Sequence, residues 1–360
     1  MTRREYLFGT AAALIASQAK AAPAYQKMGL NSYCLRAMKW TDKQVLDYAA
    51  SLKLDGVFLQ DSLDPARNKP EHWREVGAYA RNLGLHIETG IGGVLPADDS
   101  GIEASRKQLL LGLEQAKAFG SPLVRCLHAG DRAHLPKSPM KDNIARMIRL
   151  LQSVRPQFTD AGIKVAIENH KDLQAWEMRE VIEGAGKDWV GSYLDTGNPV
   201  FVVEDPVLTV QTLAPYALCA HLRDSCVYES PGGAMVEWVP LGEGNVDFHK
   251  IVQIIHTVKP EIYVYIKPIT GRPAQLMAYL ESDFWTPYPN ARASEFAQFL
   301  ALAKRGAPYN KPVVTEDLPG AHVPEAFIPA IQYQQRNHME RSVDYARKSL
   351  DLGVRWRTVK

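Results

Sequence analysis

Lys164-Val165-Ala166-Ile167-Glu168, a helical pattern over 175–185, and then Gly191-Ser192-Tyr193-Leu194-Asp195 decide how the rest of the chain is read. A short apolar run closes on a carboxylate, a helix follows, and a second apolar run closes on another carboxylate. Short β-rich runs that alternate with helical patterns argue for a parallel sheet with helical crossovers.

The same alternation extends outward in both directions. Strands are predicted near 28–32, 56–60, 86–89, 123–127, 164–168, 191–195, 218–222 and 263–267. Helices are predicted near 42–52, 71–83, 102–119, 141–161, 175–185, 207–213, 248–258 and 293–304. Leu109, Leu113, Ala116 and Phe119 recur near the helical period, and Gly84, Gly120 and Gly162 follow helices where a left-handed cap is expected. Eight βα units in about 280 residues match the count and size of a (β/α)8 TIM barrel. An open doubly wound sheet would carry a Gly-rich phosphate loop after its first strand. Asn31-Ser32-Tyr33-Cys34 offers none.

The two ends of the chain differ from this middle. Thr2-Arg3-Arg4-Glu5-Tyr6-Leu7, an apolar run and Ala19-Lys20-Ala21 resemble a twin-arginine export signal with its cleavage site, or else an ordinary secretory signal. The run is too short to span a bilayer of roughly 30 Å. The expected organisation is an export signal at 1–22, a barrel at 23–306 and a C-terminal helical extension at 307–360. Residues 307–329 are rich in Pro, and 330–352 look helical. The expected location is periplasmic, reached through the twin-arginine machinery, and the tail helix is a candidate for packing on the barrel or on a second copy in a homodimer. A hydrophobic content of 46%, a charged content of 23% and a net charge of +2 describe an ordinary globular protein. No basic block interleaved with aromatics argues for nucleic acid. Cys34, Cys126, Cys219 and Cys226 lack C-x-x-C spacing, and Cys126 and Cys219 sit in apolar runs as core fillers.

Working residues of a barrel sit at the carboxyl ends of its strands. Strand five ends Ala166-Ile167-Glu168-Asn169-His170, strand six ends Tyr193-Leu194-Asp195-Thr196-Gly197, and strand seven ends Ala220-His221-Leu222-Arg223-Asp224. Glu168, Asp195 and His221 are thereby candidate ligands for a divalent cation such as Mn²⁺, Mg²⁺, Co²⁺ or Zn²⁺. Glu88 ends strand three and His128 follows strand four; either suits proton transfer or contact with a hydroxyl. His170 and Arg223 are candidates for substrate binding, Arg223 alternatively pairing with Asp224. Trp238 and Trp285 are candidates for an apolar wall or for packing.

These endings, with Leu194-Asp195-Thr196-Gly197-Asn198 and Pro240-Leu241-Gly242-Glu243-Gly244-Asn245-Val246-Asp247-Phe248, resemble the xylose-isomerase-like TIM barrels over roughly residues 28–304. The resemblance implies a sugar isomerase, epimerase or related lyase. Such an enzyme removes a proton beside a carbonyl and steadies the enediolate with a metal. It implies Glu168 as ligand and base, Asp195 and His221 as ligands, and Asn198 among the substrate contacts. The family's fourth ligand, a Glu ending strand eight, is Lys267 here, in Tyr263-Val264-Tyr265-Ile266-Lys267-Pro268. An ammonium cannot ligate a metal. Three ligands can still suffice, Glu243, Glu281 or Asp283 can fill in, or Lys267 can stand where the cation usually stands. The leading expectation is an exported isomerase or epimerase acting on a free sugar or glycoside. The alternatives are a keto-glycoside lyase, one that uses Lys267 without metal, and a sugar-binding relative that lost catalysis at Lys267.

Overall fold

Strand alternation sorts every barrel residue to the interior or to the surrounding helices. The computed structural model describes residues 25–59, 64, 67–316 and 323–357; the proposed export signal lies outside them. Its strands are β1 (Lys27–Asn31), β2 (Gly56–Leu59), β3 (His86–Gly93), β4 (Leu123–Leu127), β5 (Lys164–Glu168), β6 (Val190–Asp195), β7 (Ala217–Leu222), β8 (Asp224–Ser230), β9 (Gly233–Val239), β10 (Tyr263–Ile266) and β11 (Gln275–Met277). Eight of them close a barrel in the order β1-β10-β7-β6-β5-β4-β3-β2, every neighbouring pair parallel. The helices are α1 (Asp42–Ser51), α2 (Pro70–Asn82), α3 (Ile102–Phe119), α4 (Met140–Asp160), α5 (Ala175–Ala185), α6 (Pro206–Leu213), α7 (Phe248–Val258), α8 (Ala293–Lys304) and α9 (Ile328–Lys348). The chain is thus a (β/α)8 TIM barrel with a C-terminal helix.

Outward residues such as Val57, Val124, Ile167, Leu194 and Val264 join the helices in the main core. Inward residues form a second cluster of Phe58, Leu123, Ala166, Tyr193, Cys219 and Tyr265. This layer plugs the barrel and is the floor of the site above it. The Tyr193 ring lies 4.3 Å from the His221 ring, and Phe58 lies 5.2 Å from it at right angles. The plug fits because Gly29 leaves room: a Cβ there would meet Gly56 O at 2.4 Å and the Tyr265 ring at 2.6 Å. All four cysteines are buried and free. No helix among the described residues is long and apolar enough to cross a membrane.

Two features depart from the sequence reading. The helix at 293–304 forms, but it does not close the barrel. Phe299, Leu302 and Ala303 of α8 pack with Val227, Val236 and Met277 in a separate core. The eighth position of the ring goes to α9. Its Met339, Val343 and Ala346 enter the main core, Tyr48 of α1 donates to Glu340, and Ser342 accepts from the Leu241 N–H. The tail helix, expected to pack on the barrel or on a second copy, packs on the barrel and forms part of its wall. The second feature is the antiparallel hairpin β8–β9, extended by β11 into a three-stranded sheet that leaves the barrel directly after β7.

Gly29→Ala should cost about 1–3 kcal/mol of stability through overpacking, read as a lower urea midpoint. An unchanged midpoint would mean that Tyr265 does not fill the space above Gly29.

Candidate active site

Three strand ends and a lysine converge on one buried point. Glu168 ends β5, Asp195 ends β6, His221 lies on β7, and Lys267 follows β10; none is more than 2% exposed. Lys267 Nζ donates to Glu168 Oε1 at 2.7 Å and to Asp195 Oδ2 at 3.1 Å, and lies 3.1 Å from His221 Nδ1. Arg125, inward on β4, places Nε 3.2 Å from Glu168 Oε2, and Arg223 places a terminal nitrogen 3.1 Å from Asp195 Oδ2. Burial works against the Glu168 charge, yet Lys267 and then Arg125 outweigh it and hold that carboxyl well below its usual range. Burial opposes the Asp195 charge too, and Arg223 with Lys267 holds that carboxyl low. Burial and then Lys267 push the His221 pKa down, which keeps the ring neutral at pH 7. The Asn31 amide oxygen accepts from the Tyr33 N–H at 2.9 Å, so its NH₂ faces His221 Nε2 at 2.9 Å. Nδ1 faces the Lys267 ammonium at 3.1 Å, with Asp195 at 3.5 Å and Glu168 at 3.6 Å beyond it.

The remaining candidates take different places. Asn198 braces the centre: its amide donates to Asn169 O at 3.0 Å and reaches Glu168 Oε1 at 3.4 Å, and its oxygen accepts from Arg223 at 3.2 Å. Arg223 pairs with Asp195 rather than with Asp224. Asp224 instead accepts backbone N–H groups of Ser225, Gly242 and Gly244. His170 stands at the mouth, half-buried, with Nδ1 against Gly130 O, and burial lowers its pKa. Glu88 points inward but one layer too deep. It pairs with Phe58 across β2–β3 and lies 3.3 Å from His86, in the plug and not at the rim. His128 points outward, three positions after the inward Arg125, and is buried facing Asp172 and Glu177. Arg125 and Asn31 are site residues that the sequence reading missed. A charge in the middle of the apolar run Leu123-Val124-Arg125-Cys126-Leu127 was the available signal, because a buried guanidinium requires a partner.

The donor atoms of Glu168, Asp195 and His221 lie within 4.8 Å of one another, a set of the kind that holds a metal ion. Lys267 Nζ stands within hydrogen-bonding distance of all three donors, on the point such an ion would take. Ligand bonds to zinc run about 2.0–2.2 Å, so an ion there would collide with the ammonium and be repelled by it. With Lys267 in this position a divalent ion does not fit. None of the three carboxylates expected as substitutes compensates: Glu243 is bound to Lys311 at 2.9 Å and to Arg341, and Glu281 and Asp283 are exposed.

The profile described as xylose isomerase-like TIM barrel matches residues 46–271. The chain is 23% identical over 214 residues to the 3-oxo-isoapionate decarboxylase of Pectobacterium atrosepticum, covering 59% of this chain and 66% of that protein. It spans less than two thirds of the curated relatives it matches, 35% and 66% of their lengths. Among solved structures, a D-psicose 3-epimerase in the presence of D-fructose superposes with a TM-score of 0.58 at 17% identity, covering 89% of this chain and 98% of that one. The IOLI protein with a bound zinc atom superposes with a TM-score of 0.55 at 12% identity, covering 77% and 96%. Likeness at these identities is a likeness of fold.

Two outcomes follow from the cluster. Because Glu168 and Asp195 titrate below their ordinary range, the unfolded chain binds more protons at acid pH. Their stabilisation is complete above the ordinary carboxylate pKa of about 4 and is lost as pH falls through the depressed values. Lys267→Met should lose about 3–5 kcal/mol at pH 7 and regain stability as pH falls toward 5, a range over which the parent's carboxylate contribution stays level. Urea unfolding at both pH values checks this; equal losses would mean that the carboxylates do not feel Lys267. Lys267→Glu should bind one Zn²⁺ or Mn²⁺ per chain in titration calorimetry where the parent binds none, and no gain would mean that the three donors fail to converge.

Proposed function

The chain belongs to the xylose isomerase-like TIM barrel family, and from that premise we propose an enzyme that removes a proton from a carbon beside a carbonyl of a small carbohydrate. Isomerisation or epimerisation of a keto-sugar is the first reading. The single observation that carries it is the ammonium of Lys267 buried between Glu168, Asp195 and His221 at the catalytic rim.

Lys267 does the electrostatic work that the family assigns to a cation. The proton leaves carbon for a Glu168 oxygen. The C–H electron pair becomes a C=C bond, and the carbonyl pair moves onto oxygen, where Lys267 donates to the developing oxyanion. Glu168 is a weak base while Lys267 and Arg125 hold it. A substrate carbonyl that draws the ammonium toward itself frees Glu168 as the proton departs, so basicity rises where and when it is needed. Neutral His221, fixed by Asn31 and in contact with Lys267, serves as the group that exchanges a proton with the intermediate. Arg223 and Asn198 hold Asp195 and Glu168 in register.

Loss of a carboxyl group as CO₂ from the carbon beside a carbonyl forms the same enolate, the C–C bond pair becoming the C=C bond. The decarboxylase relative makes that the second reading. The pattern in residues 2–22 adds export to the proposal, with catalysis outside the cytoplasm.

Chelator-treated protein, incubated in D₂O with a panel of ketoses and keto-sugar acids, should wash deuterium into the carbon beside the carbonyl or release CO₂, followed by NMR. Glu168→Gln should cut the rate by about 10²–10⁴-fold. Activity that appears only when a divalent metal is added back would overturn the role given to Lys267, and no exchange or product with any panel member would overturn the enzymatic reading.

A further inference from the structure

Beside the barrel mouth, among the loops that follow β4, β5 and β6, the structure holds a cavity of about 240 Å³ that the catalytic reading does not use. One side of it is apolar, lined by Phe201, Met277, Phe284 and Tyr288. The Phe284 and Tyr288 rings stack with centroids 5.4 Å apart, and the Arg132 guanidinium lies 4.1 Å from the Tyr288 centroid. Arg132 is committed to Glu177 and to Pro287 O, so it props this wall. The other side is polar. Lys171 Nζ stands 3.6 Å from Asp131 Oδ2, too far for a hydrogen bond. The second Asp131 oxygen accepts from the Ala133 N–H at 3.0 Å. Burial pulls the Lys171 pKa down against the pull of Asp131. A loose ion pair of this kind gains from a hydroxyl group that bridges its members, donating to the carboxylate and accepting from the ammonium. Two short stretches tie the cavity to the buried cluster. Lys171 follows Glu168 by three residues, so their Cα atoms are at most about 11 Å apart. Phe201 follows Asn198 by three, its N–H donates to Asn198 O at 3.0 Å, and Asn198 reaches Glu168 Oε1.

We propose that this cavity is the subsite for a second sugar ring, which makes the substrate a neutral glycoside of at least two rings and not a free monosaccharide. The inference rests on the Proposed function for the reacting ring, which faces Lys267 while the ring joined to it rests against Phe201 and Phe284. A pyranose has apolar C–H faces and a rim of hydroxyls, and the cavity has an apolar side and one polar edge. Its volume falls below the roughly 300–1,000 Å³ of a pocket that takes a whole ligand, as suits a subsite for one ring. The charges of Lys171 and Asp131 cancel, so the edge favours a neutral ring over an acid or an amine. An aromatic aglycone would fill the apolar side but leave this pair desolvated without a hydroxyl to bridge it.

The test measures binding of D-glucose, p-nitrophenyl β-D-glucopyranoside and the disaccharides maltose, cellobiose, sophorose and trehalose to the full chain by titration calorimetry. The tightest disaccharide should bind at least tenfold more tightly than glucose and than the nitrophenyl glucoside. Lys171→Met should reduce that preference roughly tenfold, as expected for one lost charged hydrogen bond. Phe284→Ala, which removes part of the apolar wall, should reduce it by a similar factor, and both variants should leave glucose affinity unchanged. Disaccharides that bind no better than glucose would overturn the proposal. So would tighter binding of the nitrophenyl glucoside, a preference that survives in the Lys171→Met/Phe284→Ala double variant, or no binding by any probe. The two readings separate cleanly: a disaccharide preference without proton exchange at carbon removes the Proposed function and leaves the subsite, and exchange on free ketoses without the preference does the reverse.

Discussion

Everything at the mouth of this barrel depends on an ammonium held between two carboxylates out of water. Glu168 and Asp195 stand close enough to repel, and both are excluded from solvent. Buried charges of this kind are tolerated only when they are paired and hydrogen-bonded. Lys267 supplies the pairing, and Arg125 and Arg223 take the outer oxygens. Asn31 and Asn198 finish the hydrogen bonding from opposite sides. The plug of Phe58, Tyr193 and Tyr265 keeps water from reaching the cluster from below. Remove the lysine charge and the remaining parts lose the reason for their arrangement.

The same residue turns a family architecture to a different electrostatic design. A divalent ion is a bound ligand whose occupancy depends on supply. An ammonium built into the chain at Lys267 is always present, carries half the charge, and donates hydrogen bonds in place of accepting ligand lone pairs. Arginines beside each carboxylate restore part of the missing positive charge. The compensation is visible at Arg125, a guanidinium set into the middle of an apolar strand where an aliphatic residue would otherwise pack.

Much of this was legible in the chain. The eight barrel strands follow from β-rich runs at βα spacing, and Glu168, Asp195, His221 and Lys267 could be placed together because strand ends of one barrel share a rim. Depth and direction were harder. Glu88 lies on an inward position, but its register with Phe58 sets it in the plug. His128 falls on the outward parity, which only the position of Arg125 reveals. The hairpin was written in the alternation of Asp224–Ser230 and Gly233–Val239 around Pro231-Gly232, a hairpin signal masked by the expectation that a helix follows every strand. The exchange of roles between α8 and α9 has no local signature. Both are amphipathic, and which one meets the barrel is decided by the sheet that α8 covers.

That sheet links the two ends of the site. Because β8 leaves the barrel immediately after Arg223, the residue that steadies Asp195 is also the one that lies against Trp238. Arg223 therefore joins the Trp238 ring to the Asp195 carboxylate, which Lys267 shares with Glu168, so the hairpin and the buried cluster are held by one continuous set of side chains.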